Sequence, residues 1–554
     1  MRYPSWWVRR SILRPITRLS RGNELGWRCD MRAVTAAEMR RIEEDAIAAG
    51  ATVEELMLRA GRAVANAVGK ALEEQIVGRR VLVLAGPGKN GGDGLIAARI
   101  LRQRGALVWV VCPIPRADDA LLEECAAAGC SITQGNLADL ATTLAKAELI
   151  VDALLGTGRS RAIEGATLNV LDAVRGVANT AKVVAVDLPS GLDSDTGGAD
   201  PATLSADMTV ALGSVKIGCL TPAGAEICGQ IHVAGIGLES FTPMDAGIGV
   251  LTVDEVGRLL PERRATGHKG MFGHSLIIGG SEAYRGAPAL AALATARAGS
   301  GTVAIAAPDS ITASLASRAP EATHIPLTSH PQTGLTGAGA VSQLMASLQT
   351  KTPDAYCIGP GLGRSVGTDS FADVLLRELP ADTSVVLDAD ALNRLAEKPG
   401  WWESLSGPTV ITPHPGEMAR LCGTSVEEVQ RNRFGIAEAK SKEWGVTVVL
   451  KGAYTVVASP DEPPSICPLA LPALASGGTG DALAGIITGF LAQGLSTHDA
   501  ARAGVYVHGA AAALAAQANG NMASGLLASN LIEKIPASMA VIGRGEGPVP
   551  PMFA

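Results

Sequence analysis

The sequence predicts two α/β domains, each built on a parallel sheet with helices on both faces. The chain has 554 residues, more than a single hydrophobic core organises. Apolar residues make up 47% of it and charged residues 18%, which is enough apolar material for two large cores. Short apolar runs alternate with helix-length segments along both halves, and this alternation is typical of parallel strands joined by helices.

The first domain is expected over residues 31–240. The sequence after Met31 predicts an amphipathic helix, and residues 95–104 predict a second helix behind a glycine loop. Strands are predicted at residues 81–85, 107–112, 149–155, 183–186 and 208–212. Ligands of open parallel sheets bind beside the carboxyl ends of the strands, so the polar loops that follow these runs mark a candidate site.

The second domain is expected over residues 250–545. Residues 241–249 contain proline and glycine without periodicity and therefore predict a linker between the domains. Further strands are predicted at residues 275–278, 302–307, 355–358, 384–387, 410–412 and 446–451. The last long helix is predicted to start after Gly480.

The first thirty residues differ from the rest of the chain. They are rich in arginine and tryptophan and lack the apolar segment of a secretory signal. A mitochondrial-type presequence and a translation start at Met31 are both compatible with this composition. We prefer the second, and expect residues 1–30 to be disordered or absent from the mature protein.

Charge and cysteine usage limit the partners of the chain. A net charge of −7 gives no general attraction to nucleic acid or to an anionic membrane, so neither is expected as a partner. The nine cysteines form no CxxC pair, which argues against a zinc site and a disulfide framework. We expect a cytoplasmic protein that forms a homo-oligomer.

The first glycine loop lies in VLVLAGPGKNGGD and contains GxGxxG at Gly86, Gly88 and Gly91. A strand before it and a helix after it are the context of a dinucleotide-binding loop. However, Asp93 at the predicted helix start would repel a pyrophosphate, and the second strand ends at Cys112 with no acid to hold a ribose. These features argue against an ordinary NAD dehydrogenase.

Three motifs of the first domain together resemble the NAD(P)H-hydrate epimerase family: KNGGDG (89–94), VDALLGTGRSR (151–161) and DLPSGLDSDTG (187–197). The resemblance implies a Rossmann-like, three-layer fold and interconversion of the R and S epimers at C6 of the hydrated nicotinamide ring of NADHX and NADPHX. It also implies these substrate contacts: Lys89, Asn90, Gly91, Gly92, Asp93, Gly156, Thr157, Gly158, Arg159, Ser160, Arg161, Ala162 and Asp187.

The same resemblance implies a potassium ion held by Asn90, Asp152 and Ser190. One amide, one carboxylate and one hydroxyl suit a hard cation better than zinc. Taken singly, Asp152 and Asp187 are also compatible with helix caps and turns, but polar loops at successive strand ends favour a site. Epimerisation needs acid–base chemistry, for which Asp187 is the first candidate. Lys216 is the second candidate, although a solvent-facing lysine at a strand end is an alternative.

The second domain contains ASGGTGD (475–481) directly before its last long helix. Glycines let the backbone approach a ligand closely, and free amides at a helix N-terminus bind anions. Asp481 in the first turn is compatible with a simple favourable dipole charge. Beside a phosphate-binding loop, an aspartate is also the group with which sugar-kinase-like enzymes remove a proton from the attacking hydroxyl, which we favour here.

Six motifs in order resemble the ADP/ATP-dependent NAD(P)H-hydrate dehydratase family: GHKGMFG (267–273), GGSEAYRGAP (279–288), GPGLG (359–363), DADALN (388–393), HPGE (414–417) and GGTGD (477–481). The resemblance implies a ribokinase-like fold that phosphorylates the ring hydroxyl with ADP or ATP and magnesium and then eliminates phosphate. Fusion of both domains resembles the bacterial arrangement, which favours ADP. The implied nucleotide contacts are Lys451, Gly452, Ala453, Tyr454, Thr455 and Gly480. The implied contacts to the hydrated cofactor are Ala287, Gly363, His414 and Asp481.

Two alternatives remain at this point. The first is a kinase of a small vitamin alcohol, of the hydroxymethylpyrimidine type, fused to a non-catalytic nucleotide-binding module. Ribokinase-like kinases share GTGD, but HPGE and KGMFG favour repair. The second treats the first domain as a non-catalytic binding module, against which Asn90, Asp152 and Asp187 argue together.

Overall fold

The computed structural model describes residues 31–135, 140–158, 161–176, 181–243, 246–330, 334–335, 337–349, 351–520 and 524–547. The extension 1–30 and the expected substrate contacts Arg159 and Ser160 lie outside these residues. The described chain divides between Gly249 and Val250 into two compact units, here called the N-terminal and C-terminal units. Both have the predicted α/β architecture, so the fold class is confirmed.

The N-terminal unit contains a seven-stranded sheet. Its strands and those beside it are β1 (Arg32–Val34), β2 (Arg80–Ala85), β3 (Leu107–Cys112), β4 (Ser131–Gln134), β5 (Leu149–Ala153), β6 (Lys182–Val186), β7 (Met208–Leu212), β8 (Val215–Lys216), β9 (Gln230–Ala234) and β10 (Ile248–Val250). Its helices are α1 (Ala36–Ala48), α2 (Val53–Ala71), α3 (Lys89–Gln103), α4 (Ala120–Ala127), α5 (Leu140–Leu144), α6 (Gly165–Arg175) and α7 (Pro222–Cys228). The sheet order is β4-β3-β2-β5-β6-β7-β9, and all of its pairings are parallel.

This sheet is buried on both faces, which explains its apolar strands. Val81 and Val83 of β2 pack into one core, whereas Leu82 and Leu84 pack into another. Successive side chains of a strand point to opposite faces, so a sheet covered on both sides needs continuous apolar runs. The five strands predicted for this unit lie within two residues of their observed bounds, because their apolar runs are continuous.

Three expectations for this unit were wrong in detail. The chain after Met31 first forms β1, which pairs with β8 and β10, and only then α1. The expected linker accordingly ends in β10 instead of remaining irregular throughout. Helix α3 begins at Lys89, so the glycine loop forms its first turn; a Cβ on Gly91 would lie 1.9 Å from the Gly86 carbonyl oxygen. Glycine is needed there because backbone meets backbone.

The C-terminal unit has a nine-stranded sheet and a separate small hairpin. Its strands are β11 (His274–Ile278), β12 (Thr302–Pro308), β13 (Thr323–Leu327), β14 (Ser329–His330), β15 (Gly334–Leu335), β16 (Ala355–Ile358), β17 (Ser384–Leu387), β18 (Thr409–Ile411), β19 (Thr447–Leu450), β20 (Val456–Ser459) and β21 (Glu462–Ile466). Within this unit the order is β13-β12-β11-β16-β17-β18-β19-β20-β21. The expectation of a purely parallel sheet was wrong, since β19, β20 and β21 pair antiparallel. Short loops join these strands, whereas parallel pairing needs a long crossover.

Helices cover both faces of this second sheet. They are α8 (Val253–Leu259), α9 (Ala287–Arg297), α10 (Thr312–Arg318), α11 (Ala338–Leu348), α12 (Val366–Glu378), α13 (Asp390–Leu395), α14 (Pro415–Cys422), α15 (Val426–Arg431), α16 (Arg433–Trp444), α17 (Thr479–Ala492), α18 (Thr497–Ala518) and α19 (Ala528–Gly543). Helices α17 and α9 pack closely because glycine faces backbone: a Cβ on Gly485 would lie 2.2 Å from the Ala291 carbonyl oxygen. Each helix in the described ranges is too short or too polar to cross a lipid bilayer.

Candidate active sites

A cavity of about 750 Å³ opens at the carboxyl ends of β2, β5 and β6 in the N-terminal unit. It brings together most of the residues expected to contact substrate there: Lys89, Asn90, Asp93, Gly156, Thr157, Gly158, Arg161, Ala162, Asp187 and Lys216. Gly91 and Gly92 do not line it. Gly91 packs against Gly86 instead, and a Cβ on Gly92 would lie 2.1 Å from the Met57 side chain. These two glycines therefore allow the loop to pack closely against Gly86 and Met57.

Asp187 and Lys216 form a buried ion pair in the wall of this cavity. Lys216 is only 1% exposed, and its ammonium group also donates to the carbonyl oxygens of Leu212 at 3.1 Å and Ser214 at 3.0 Å. The alternative of a solvent-facing lysine was therefore wrong. Asp187 has a φ of +68° and accepts a further hydrogen bond from the Leu212 amide at 3.1 Å. The pair fixes the Asp187 carboxylate on an unusual backbone turn.

Asp93 is a buried acid on the second turn of α3, not at its start as expected. Burial raises the pKa of its carboxyl well above the usual range, and the negative charges of Asp187 and Glu43 act in the same direction. Lys89 and Lys216 oppose the rise in pKa. Four carboxyls line the cavity: Glu43, Asp93, Glu164 and Asp187. Asp187 is paired with Lys216 and Glu43 with Lys89, whereas the buried Asp93 forms no ion pair with another described residue.

The three expected potassium ligands converge behind the cavity. The Ser190 hydroxyl donates to Asp152 at 2.6 Å, and the Ser190 amide donates to the other Asp152 oxygen at 2.9 Å. The Asn90 side-chain amide donates to the Leu155 carbonyl oxygen at 2.9 Å, while the Leu155 amide donates to Ser190 Oγ at 2.8 Å. Loops after three different strands are thus tied together at one point.

Asp152 is completely buried, and burial raises the pKa of its carboxyl. No basic side chain in the described residues forms an ion pair with it. A buried carboxylate is normally paired or coordinates a metal. Clusters of three or more His, Cys, Asp or Glu side chains that could hold a metal are absent from the described ranges. The mixed oxygen set of Asn90, Asp152 and Ser190 fits a hard cation better than a soft one.

In the C-terminal unit a buried charge cluster follows strands β17, β18 and β19. Lys451 Nζ lies 2.7 Å from Asp388 Oδ1 and 3.8 Å from a carboxylate oxygen of Glu417. The Thr412 hydroxyl donates to the same Asp388 oxygen at 2.7 Å. The motifs DADALN and HPGE were noticed in the sequence, but Asp388 and Glu417 were assigned no role. Their position directly after buried strands was the signal that could have found them.

Asp481 lies in the first turn of α17, after Gly478 in the left-handed conformation. Burial raises the pKa of Asp481 to about 7, and the negative charges of Asp388 and Asp390 add to the rise while Lys451 opposes it. A Cβ on Gly480 would lie 3.5 Å from Lys451 Nζ. The loop around Gly480 and the charge cluster therefore belong to one site.

The expected contacts for the hydrated cofactor lie on neighbouring loops of the same edge. The Gly363 amide donates to Asp390 at 2.8 Å, which holds the GPGLG loop against α13. A Cβ on Gly361 would lie 2.9 Å from that of Ala287, so the loop passes directly over the start of α9. His414 is exposed, and its Nδ1 accepts the Gly416 amide at 3.0 Å as an N-cap of α14. Ala287 thus borders the loop that contains Gly363, and His414 lies at the start of α14 in the loop after β18.

The Arg433 side chain contacts the start of the expected nucleotide loop, residues 451–455. This guanidinium is 2% exposed and donates to the carbonyl oxygens of Leu450 at 3.0 Å and Lys451 at 3.2 Å. Gly452 and Tyr454 have φ values of +141° and +55°, so the loop is tightly bent. Arg433 was missed in the sequence because a single arginine in a helix ordinarily indicates an exposed surface.

Comparison with known proteins gives a family match for each of the two units. The family description "NAD(P)H-hydrate dehydratase" matches residues 275–537, and "YjeF-related protein N-terminus" matches residues 53–218. A bifunctional NAD(P)H-hydrate repair enzyme of Moorella thermoacetica is 38% identical over 527 residues, covering 91% of this chain and 96% of that protein. The chain belongs to the family of bifunctional NAD(P)H-hydrate repair enzymes. The family predicted from the motifs is therefore confirmed.

Other members of the repair family are similarly close. The bifunctional NAD(P)H-hydrate repair enzyme of Escherichia coli K12 is 36% identical, covering 90% of this chain and 92% of its own length. The C-terminal part is similar to the ADP/ATP-dependent NAD(P)H-hydrate dehydratase of Bacillus subtilis, co-crystallised with ATP and Mg²⁺. That structure is 33% identical with a TM-score of 0.46, and the match covers 54% of this chain and 98% of that chain.

Proposed function

We propose that this chain repairs hydrated NADH and NADPH in two steps. The N-terminal unit interconverts the R and S epimers of NADHX and NADPHX, and the C-terminal unit dehydrates the S epimer with ADP or ATP. The observation that carries this proposal is the grouping of both expected residue sets at the carboxyl ends of the parallel strands in two separate units. Family membership favours repair over a vitamin-alcohol kinase fused to an inactive module.

In the N-terminal unit, the cavity walls would bind the hydrated ring and its phosphates. Lys89 and Arg161 supply positive charge at the cavity mouth, since both are exposed and line it. Lys216 uses its three N–H donors on Asp187, Leu212 and Ser214, so it serves to hold the Asp187 carboxylate in place. We therefore give Lys216 a positioning role and Asp187 the role of the base.

Asn90, Asp152 and Ser190 would hold the potassium ion that the family resemblance implies. Bound there, the ion supplies a positive charge that balances Asp152. The three ligands come from the loops after β2, β5 and β6, so their attachment fixes the wall on which substrate binds.

The potassium assignment predicts that the epimerisation rate rises with potassium concentration and that Asp152→Ala abolishes this response. Asp152 carries the formal charge among the three ligands, so its removal should release the ion. The measurement is the epimerisation rate against potassium, with sodium balancing the ionic strength. Dehydration of the S epimer by the same variant is the control and should not change. A wild-type rate that ignores potassium would contradict the assignment.

In the C-terminal unit, Asp481 would take the proton from the ring hydroxyl while the amides at the start of α17 bind the transferred phosphoryl group. Lys451 would contact the nucleotide phosphates, and the bent loop of residues 451–455 would enclose the nucleoside. Asp388 and Glu417 are the hard oxygen donors beside Lys451 that would hold magnesium. Magnesium supplies neutralisation of the phosphate charge when it is bound.

The proposal predicts that a truncated chain of residues 250–554 dehydrates the S epimer but leaves the R epimer, apart from its spontaneous epimerisation. Each unit has its own hydrophobic cores, so the C-terminal unit is expected to fold without the other. The measurement is chromatographic separation of both epimers during incubation with ADP. The full chain is the control and should consume both. Equal consumption of both epimers by the truncated chain would remove the case for an epimerase.

We also propose a reducing, cytoplasmic setting for the protein. All eight cysteines in the described ranges are free thiols, and all but Cys422 are buried. Free buried thiols are typical of compartments where disulfides do not form. The homo-oligomeric state stays a prediction.

A further inference from the structure

The cavity of the N-terminal unit contains a carboxyl whose burial has no structural reason. Asp93 is 7% exposed and lines the cavity. No hydrogen bond joins its carboxyl to another described residue. A buried acid without a partner is costly, and alanine or asparagine would fill a purely structural position at lower cost. Such a group in a cleft is a candidate for chemistry.

Glycines on both sides of Asp93 fix its position. A Cβ on Gly92 would lie 2.1 Å from Met57, and one on Gly94 would lie 2.6 Å from the Ala153 Cβ in β5. A Cβ on Gly61 of α2 would lie 2.9 Å from the Asp93 carbonyl oxygen. Helix α3 is therefore pressed against α2 and β5, and the Asp93 carboxyl is presented to the cavity with little freedom.

The charges that face Asp93 separate it from Asp187. Glu43, Lys89, Asp187 and Lys216 all act on it, and burial together with the two acids raises the pKa of Asp93 well above its usual range. Asp187, by contrast, forms an ion pair with the buried Lys216. A buried carboxyl without an ion-pair partner among the described residues, beside a carboxyl paired with an ammonium group, is an arrangement suited to one acid and one base.

We infer that Asp93 is the general acid of the epimerase site and that Asp187, held by Lys216, is its base. This inference rests on the proposed epimerase function. Asp93 gives its proton to the C6 hydroxyl oxygen, the C6–O bond breaks, and water leaves as the N1 lone pair forms an N1=C6 double bond. Water then adds to C6 from the other face of the ring and gives a proton to Asp187, while the π electrons return to N1. Proton exchange with solvent resets both carboxyls.

The test compares Asp93→Asn with Glu123→Gln in the full chain. Asparagine keeps the shape of Asp93 but has no acidic proton, so epimerisation should fall by about two orders of magnitude or more. Glu123 of α4 is exposed and does not line the cavity, so its variant should stay within about twofold of wild type. Dehydration of the S epimer by each variant should not change, which shows that the chain is folded and active.

Two further measurements do not depend on the variant's activity. In oxygen-18 water the wild-type enzyme should incorporate label at C6 with each epimerisation, because the C6–O bond breaks. The infrared difference between wild type and Asp93→Asn at neutral pH should contain the carbonyl band of a protonated carboxylic acid. Lack of label, lack of that band, or an Asp93→Asn rate within about threefold of wild type would each overturn the inference. A wild-type chain that does not interconvert the epimers would instead contradict the proposed function itself.

Discussion

Replacing Asp481 with asparagine should lower the rate of dehydration by about two orders of magnitude or more while nucleotide binding survives. The phosphate-binding amides at the start of α17 belong to the backbone and remain in the variant, but the group that takes the hydroxyl proton is lost. Steady-state kinetics with the S epimer measure the rate, and calorimetry with ADP measures binding. Asp390→Asn is a useful comparison, because Asp390 supports Gly363 and should alter substrate binding more than the rate.

The pH dependence of the same reaction tests the role of Asp481 separately. Burial raises its pKa to about 7, and a base acts only when ionised, so kcat/KM should rise with pH up to about 7 and then level off. Burial also raises the pKa of Glu417 to about 7, so the wild-type profile combines both groups. The Asp481→Asn variant removes one of these two groups, so the difference between the two pH profiles reports on Asp481. If the variant keeps a rate within a few-fold of wild type, the proton-abstraction role is wrong.

The Lys216→Met variant should have the largest effect on stability. Removing one partner of a buried ion pair costs about 3–5 kcal/mol, and we expect about 3 kcal/mol here because Asp187 opens to the cavity. Epimerisation should fall to near background, since Asp187 is no longer held. Urea unfolding of the full chain, followed by hydrogen–deuterium exchange in peptides from β6 to β8, measures the loss.

The matched control for Lys216→Met is the double variant with Asp187→Asn. Removing both charges leaves no unpaired ion in the wall, so most of the lost stability should return. Epimerase activity should not return with it. A single Lys216→Met variant with wild-type unfolding and activity would show that the ion pair contributes neither stability nor positioning.

The sequence predicted those strands and helices that a short stretch of residues is enough to determine. Continuous apolar runs placed the central parallel strands correctly, because a sheet covered on both faces needs them. The parallel strands β4, β9 and β13 were missed, since their sequences are not continuous apolar runs. The antiparallel strands β20 and β21 were missed, since β21 contains two prolines and has no simple alternation. Helix α3 was placed too late, because glycines are poor helix formers unless close packing requires them, as at Gly91.

The residues of the candidate sites were likewise predicted where a local motif indicated them and missed where only a distant contact did. Loops after strands pointed to Asp152 and Asp187, and the glycines before α17 pointed to Asp481; the roles of all three stay predictions. Contacts between distant segments were not recognisable, because nothing in the sequence states that Lys216 reaches Asp187 or that Arg433 supports Lys451. The sequence also did not show which polar side chains are buried. Asp93 was expected as a charge at a helix start, but its carboxyl is buried in the cavity wall.

The central claim is that one chain repairs both epimers of the hydrated cofactors. Its most direct test is incubation of the full-length protein with a mixture of R- and S-NADHX and either ADP or ATP, while the dihydronicotinamide absorbance is followed. We expect nucleotide-dependent recovery of NADH from both epimers, with the R form consumed through the S form. Absorbance that does not return, or phosphorylation of a small vitamin alcohol in place of dehydration, would contradict it.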